Sequence, residues 1–371
     1  MKRFLTLLIA LMMFALPALG EEDDLSIEEL IEEVILDDEG GEVWVEKNIY
    51  ENDGSVLITV TATGDFTIGG DNYHRKDIFS PVLKEHDGDI NFTLRNMKDI
   101  LSDDDLTIVN FEGTLTETKY VPASKKSNEF LFNIAPEYVS VLTDNSVEAV
   151  SLENNHVMDH GDEGYRDTIQ TLEDAGIVWS NSTEVGVIEV KGVQIAMLSY
   201  LCIDRYEQLW DKVPADIAEA KENYPIVIVS FHWGNEKDYV PTKNQIKMGR
   251  LAVDAGADLV LGHHSHRMNP IECYNGVYIC YSLGNFCFAG NKKPSDMNSF
   301  VFQTRFRLKN NEIKNEGFRI IPIRITSQDN KNDYTPTPIT NPTKIDSVLT
   351  VLKGNGKDLM YSVAEYPLEW D

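Results

Sequence analysis

DLVLGHHSH, residues 258–266, carries a run of aliphatic residues straight into three imidazoles. The same grammar recurs along the chain. VLITVTAT (56–63) runs into Gly64-Asp65, and LTIVN (106–110) into Phe111-Glu112. VEAVSL (147–152) leads to Asn154-Asn155-His156, and IVIVSF (226–231) to His232-Trp233-Gly234. Near-continuous Val/Ile/Leu runs of this length are expected to be buried strands of a sheet covered on its faces. In open sheets of that kind ligands bind beyond the carboxyl ends of the strands. Polar groups distant in sequence are therefore expected to converge on one rim.

Around these runs, strand-like and helix-like segments alternate. Helices are predicted near 90–101, 136–145, 163–175, 214–222 and 242–255, with further strands near 185–190 and 193–199. This is the βαβ pattern of an α/β fold with a mixed sheet. From Ile271 to Ile325 the pattern turns to hairpins, predicting a second sheet packed on the first. Residues 328–343 are expected to be a surface loop, followed by a short terminal helix near 344–353. The predicted organisation is 1–20, 21–54, 55–327 for the main domain, and 328–371 for the loop and helix.

The first twenty residues have the form of a secretory signal: Lys2-Arg3, an apolar stretch from Phe4 to about Leu16, then small residues before a cleavage point. An uncleaved anchor is the other reading. Either way the protein is expected to be exported, outside the cell or at its envelope. Residues 21–54 begin with twelve carboxylates between Glu21 and Glu42 and no Lys or Arg before Lys47. Ser26-Ile27-Glu28-Glu29 fits a capping box, and Ile27, Leu30, Ile31, Val34 and Ile35 fall at helical spacing, so a short amphipathic helix ending at Gly40-Gly41 is predicted there.

The 371 residues carry a formal net charge of −28. That balance argues against nucleic acid as a partner and against docking on an anionic membrane. It also repels an anionic substrate, so a metal or local cations must supply the attraction. Four cysteines do not make a disulfide scaffold. Cys273 and Cys280 flank an Asn275-Gly276 turn, which leaves a cross-strand disulfide and buried free thiols both open. The chain has no GxxxxGK loop and no GxSxG elbow, so NTP hydrolysis and serine-esterase chemistry drop out.

Six of the eight histidines lie in the strand-end motifs: His156, His160, His232, His263, His264 and His266. Imidazole together with carboxylate and amide oxygen suits a divalent Mn, Zn or Fe ion. Asp65 offers a hard oxygen after a glycine, and Glu112 follows a buried strand where a carboxylate needs a partner. Asn155 can ligate through its amide oxygen. His156 with Asp159 is an oriented imidazole suited to acid catalysis, and Glu236 brings a carboxylate to the His232 turn. Asn154 is a substrate contact or a helix-capping residue. Asn285, in Ser282-Leu283-Gly284-Asn285-Phe286, belongs to a backbone ligand contact or a packing turn. Arg267 and Arg205 are the candidates for an anion contact.

As an ordered set, Thr63-Gly64-Asp65, Asn110-Phe111-Glu112, Asn154-Asn155-His156 with Asp159-His160-Gly161, His232-Trp233-Gly234-Asn235-Glu236, Gly262-His263-His264-Ser265-His266 and Tyr281–Phe286 resemble the CapA family of capsule-synthesis proteins associated with poly-γ-glutamate. The likeness runs from about Ile58 to Phe288. That family resembles the calcineurin-like metallophosphatases, which implies a four-layer α/β/β/α sandwich with mixed sheets and one or two ions. The resemblance implies Asp65 and His266 on one metal, Asn155, His232 and His264 on the other, Glu112 between them, and His156 as the acid near the leaving group. Two positions depart from the parent pattern. Thr67 stands where a ligating His is expected, and Glu112 where the bridging residue is Asp.

The function expected from this set is synthesis, transfer or trimming of an anionic polymer such as poly-γ-glutamate, or action on a small anionic substrate, at a metal-dependent hydrolytic site. Membrane-bound capsule-synthesis subunits are the expected partners. A metal-dependent phosphoesterase and a non-catalytic subunit of a polymer-export complex are the alternatives.

Overall fold

A computed structural model of the chain describes residues 30–36, 42–71, 77–123, 129–310 and 312–370. The signal-like segment and the capping box at Ser26 lie outside the described residues. The chain divides into two compact units, residues 1–57 with 307–312, and residues 58–306 with 313–371.

In the first unit, β1 (Leu30–Leu36) pairs antiparallel with β2 (Glu42–Asn48). The helix expected over this stretch is therefore corrected to a strand from residue 30 onward. Its register sets Val34 against Trp44 and Ile35 against Val43. The strand propensity of the β-branched residues in both segments outweighs a weak helical period.

The second unit is built on two sheets. One has the order β10 (Gly186–Val190), β11 (Val193–Leu201), β12 (Ile226–His232), β13 (Leu259–His263), β15 (Val277–Cys280), β14 (Ile271–Tyr274). Its centre is parallel, with antiparallel pairs at both edges. The other has the order β19 (Thr337–Pro338), β18 (Glu312–Arg324), β17 (Asn298–Lys309), β3 (Val56–Thr67), β5 (Leu106–Phe111), β8 (Ala149–Ser151), β9 (Val178–Ser180), and β16 (Asn285–Phe288) pairs with the end of β3. A small third sheet joins β4 (Gly70–Asp71), β7 (Phe132–Ile134) and β6 (Thr114–Leu115).

Every residue of β5 and β12 is buried, because both faces of each large sheet are covered. In β12 the alternate residues Val227, Val229 and Phe231 pack on Val213, Ile217 and Ala220 of α6 (Lys212–Asn223), next to the short α5 (Tyr206–Leu209), and on Met248 and Ala252 of α7 (Lys243–Asp254). In the other sheet Val109, Phe111 and Val150 pack on Leu101 of α2 (Lys98–Leu101), Val141 and Leu142 of α3 (Ser140–Thr143) and Leu172 of α4 (Gly161–Asp174). Val82 and Leu83 of α1 (Ser80–Glu85) join the same cluster. The inner faces meet: Ser180 Oγ lies 2.5 Å from Ser199 Oγ, and the rings of Tyr278 and Phe302 are 6.1 Å apart. The expected four-layer α/β/β/α sandwich with mixed sheets is what the chain forms.

Three details differ from the sequence reading, and one that it left open is resolved. The region 271–325 does not make the second sheet alone; its strands are shared, with β14 and β15 completing the first and β16–β18 joining β3 in the second. The helices expected at 90–101 and 136–145 are short 3-10 and α turns (Ile90–Phe92, Lys98–Leu101, Pro136–Val139, Ser140–Thr143). Polar side chains intervene there: Asn145 Nδ2 donates to Val141 O and to Asn91 Oδ1, bonds that compete with helix continuation.

The segment 328–343 is not a surface loop throughout, since Asn332, Asp333, Tyr334 and Thr335 are buried. Its polar residues hold the loop from within, Asn332 donating to Phe288 O and Asp333 accepting from Thr326 and Ser327. Finally, Cys273 and Cys280 are free. The register sets Cys273 opposite Tyr278 and Cys280 opposite Ile271, so the Asn275-Gly276 turn forms but the two thiols do not face each other. The terminal helix α8 spans Pro342–Gly356. Among the described residues no helix is long and apolar enough to cross a membrane.

Candidate metal centre

Asp65, Asn110 and Ser151 stand in register at the carboxyl ends of β3, β5 and β8, in one sheet. His232 and His263 stand in register at the ends of β12 and β13, in the other. The rim is therefore shared between two sheets rather than built on one. The turn Tyr281–Phe286 knits them together. Asp65 N donates to Gly284 O at 2.8 Å, and Trp233 Nε1 donates to Tyr281 O at 2.9 Å. Two glycines permit this approach: a Cβ on Gly64 would lie 2.0 Å from Gly284 O, and one on Gly262 would lie 2.2 Å from Tyr281 O. The Ser282–Phe286 segment is thus a packing turn that also carries a site contact.

Beyond β13 the chain leaves the strand conformation. His264 (φ 90) and His266 (φ 53) both occupy the left-handed region, which costs a non-glycine residue on the order of 1–3 kcal/mol. The strain explains how two residues spaced by two, which in a strand share a face but stand about 7 Å apart, come to serve one centre.

The donors fall into two groups. Asp65, Glu112 and His266 have ligand atoms all within 4.8 Å of one another. His266 Nδ1 is 2.9 Å from Asp65 Oδ2, and its Nε2 is 3.9 Å from Glu112 Oε1. In the second group His232 Nε2 meets Asn155 Oδ1 at 2.7 Å, and the His232 and His264 ring centres are 4.7 Å apart. Asn155 is exposed at the mouth, while Asp65, Glu112 and His232 are buried. All six residues assigned to metal by sequence lie in this one place. His156 approaches from the side, its Nε2 3.7 Å from Glu112 Oε1 and its Nδ1 donating to Asp159 Oδ2 at 2.7 Å.

The electrostatics follow from crowding charge in a dry pocket. Burial, with Asp65 nearby, pushes Glu112 up to about 7. Burial opposes the charge on His266, but Glu112 and Asp65 outweigh it and raise this imidazole to about 9. Against the same penalty of burial, His266 and His263 hold Asp65 below the usual carboxylate range. Burial, then neighbouring imidazoles, lowers His264 to about 4 and holds His232 well below its ordinary value. Neutral His232 and His264 have lone pairs to offer, as ligands require.

A family model described as bacterial capsule synthesis protein PGA_cap matches residues 59–290. The chain belongs to that family. It is 34% identical over 250 residues to the PGA biosynthesis protein CapA of Bacillus subtilis, a match covering 62% of each chain. It is 28% identical over 254 residues to the capsule biosynthesis protein CapA of Bacillus anthracis, covering 62% of this chain and 60% of that one. The chain thus spans about three fifths of the length of the curated relatives it matches. Among solved structures, a phosphatase of Mycoplasma pneumoniae aligns with TM-score 0.45 and 14% identity over 78% of this chain and 96% of that one, a likeness too loose to carry an argument.

The PGA_cap match contains every donor named above. Whether a cation suits this PGA_cap chain is answered by its own orphaned atoms. Both carboxylate oxygens of Glu112 and His264 Nδ1 are buried without a hydrogen-bond partner, and Asp65 Oδ2 meets only His266 Nδ1. A buried carboxylate left unpaired is costly, and a divalent ion is the partner this donor set fits. Thr67, where the parent pattern has a ligating His, is buried with its hydroxyl equally unpartnered, so no nitrogen is supplied there.

The remaining sequence candidates are placed as follows. Glu236 is exposed at the rim, near enough for its charge to raise Glu112 and His266. Asn154 donates to Phe111 O at 2.7 Å and accepts from His156 N, so it fixes the His156 turn. Asn285 Oδ1 accepts from His266 Nδ1 at 2.9 Å. Arg267 is buried and donates to His266 O and Ser295 Oγ, while Arg205 is exposed.

Two residues that the sequence motifs contain were given no role there and prove to belong to the site. Asn110 Nδ2 donates to Asp65 Oδ1 at 2.8 Å and lies 3.3 Å from His232 Nδ1, joining the two groups. His263 is fully enclosed 3.7 Å from Asp65 Oδ1, with both ring nitrogens unpartnered. The signal for Asn110 was present, an amide ending the apolar run LTIVN.

Proposed function

We propose that this chain is a metal-dependent hydrolase or transferase of anionic-polymer capsule synthesis, of metallophosphatase type, acting on a poly-γ-glutamate-like substrate. The observation that carries it is the buried Glu112 carboxylate, without a hydrogen bond on either oxygen, facing Asp65, His266 and His156. The names of the Bacillus relatives place those proteins in PGA and capsule biosynthesis, and the reading extends that context to this chain.

Asp65, Glu112 and His266 would hold one divalent ion, and Asn155, His232 and His264 a second. The chemistry such an ion supplies when bound is Lewis-acid stabilisation of negative charge on the substrate, which also answers the repulsion from a net charge of −28. His156 then serves as the acid. Asp159 accepts from its Nδ1, which stabilises the imidazolium and leaves a proton on Nε2 to give to a leaving group beside Glu112. Export is part of the same proposal, with residues 1–20 as the signal; the N-terminus of protein recovered from the envelope or medium tests it.

The deciding experiment combines elemental analysis of Mn- and Zn-saturated protein with assays on a γ-glutamyl polymer and on a phosphodiester. Polymer cleavage or transfer that needs the ion and is lost in His232→Ala is the expected result. Phosphodiester turnover alone, lost in the same variant, marks a phosphoesterase instead. Absence of both ion and turnover marks a non-catalytic subunit and overturns the proposal.

A further inference from the structure

Four large apolar side chains are exposed around the turn that carries His156. Tyr120 is 53% exposed, Val121 39%, Phe130 43% and Met158 45%. Met158 sits between His156 and His160 in that turn, and His160 Nδ1 donates to Tyr120 O at 2.8 Å. The Tyr120 ring lies over the start of α4, where a Cβ on Gly161 would come within 2.9 Å of it. Phe130 stacks on Phe132 with ring centres 6.1 Å apart, and Phe132 lies 4.4 Å from the His156 ring. An aromatic column therefore runs from the surface through Phe130, Phe132 and His156 to Glu112.

On a protein with a net charge of −28, an apolar rim at the mouth of a charged pocket marks a binding surface. The carboxylates of a polyanionic substrate gain nothing from it, so it suits an apolar group joined to such a substrate. The rim lies on the side of His156, the proposed acid, which would meet the leaving portion of a substrate, so what covers the rim would be continuous with what reaches Glu112. We propose that this rim binds the apolar part of an amphiphilic substrate, an alkyl or aryl group joined to the anionic group that reaches the metal centre. The inference rests on the metal-centre reading above and specifies its substrate class.

The test titrates the full chain with alkylphosphonates from methyl to octyl, with and without Mn²⁺, by calorimetry and by methyl NMR of Met158. Affinity should rise about tenfold or more from methyl to butyl, the scale expected for burying a few CH₂ groups. The Met158 methyl should move only with the longer chains. In Phe130→Ser and in Tyr120→Ser the dependence on chain length should flatten while methylphosphonate binding is unchanged. Affinities independent of chain length, a length dependence untouched by both variants, or no binding by any member overturn the proposal. If chain length matters but Mn²⁺ does not, the metal reading fails and the apolar rim stands.

Discussion

Asn110 is the residue on which the two donor groups depend for their relative placement. Its amide donates to Asp65 and touches His232, and its Oδ1 receives Asn154 Nδ2 at 3.3 Å. Supporting contacts of this kind are typically worth 10–100-fold in metal affinity. Asn110→Ala is therefore expected to weaken Mn²⁺ binding by about that factor in calorimetry, with an unchanged circular dichroism spectrum. Thr67 gives a complementary experiment. If the missing nitrogen limits occupancy, Thr67→His should raise the Mn content at saturation, and an unaltered content would show that the limit lies elsewhere. The clustered donors were legible in sequence because they follow apolar runs and so fall at or just beyond strand termini. Asn110 also ends an apolar run, but neither it nor His263 was given a role, because nothing local distinguishes an amide or imidazole that supports a donor from one that is simply buried.

At the level of elements, the strands were readable and the connections were not. Aliphatic runs such as IVIVSF identify themselves, and helices α4, α6 and α7 show clear periodicity. The buried loop around Tyr334 defeated the reading, since its Asn, Asp and Thr residues look solvent-seeking until their hydrogen bonds are counted. Which strand belongs to which sheet was equally hidden, because register follows from contacts between distant segments. The tightest of those contacts is the crossing of Gly64 and Gly284. Gly64→Ala would push a methyl group against a backbone carbonyl that cannot rotate away, so a loss of about 3 kcal/mol is expected. The urea midpoint measures it, and an unshifted midpoint would mean the turn can move aside.

Across the whole molecule, the acidic balance has a local concentration outside the metal centre. Asp104 is largely buried beside Asp105 and Glu148, and burial, with those two charges adding to it, pushes it up to about 7. The folded state therefore binds this proton more tightly than the unfolded chain, whose value is near 3.8. Stability is expected to fall as pH rises from about 4 through about 7, by at most about 1.4 kcal/mol per unit from this group. Asp104→Asn cannot ionise, so its advantage in urea unfolding should grow across that window and level off above it. An advantage constant with pH would remove Asp104 as the source.

The sharing of donors between the two sheets has a bearing on how the molecule matures. Asp65 and Glu112 arrive on one sheet and His232, His264 and His266 follow from the other, so neither proposed donor group is complete on a single sheet. If the chain takes up a cation as proposed, tight uptake would report that both halves have docked correctly.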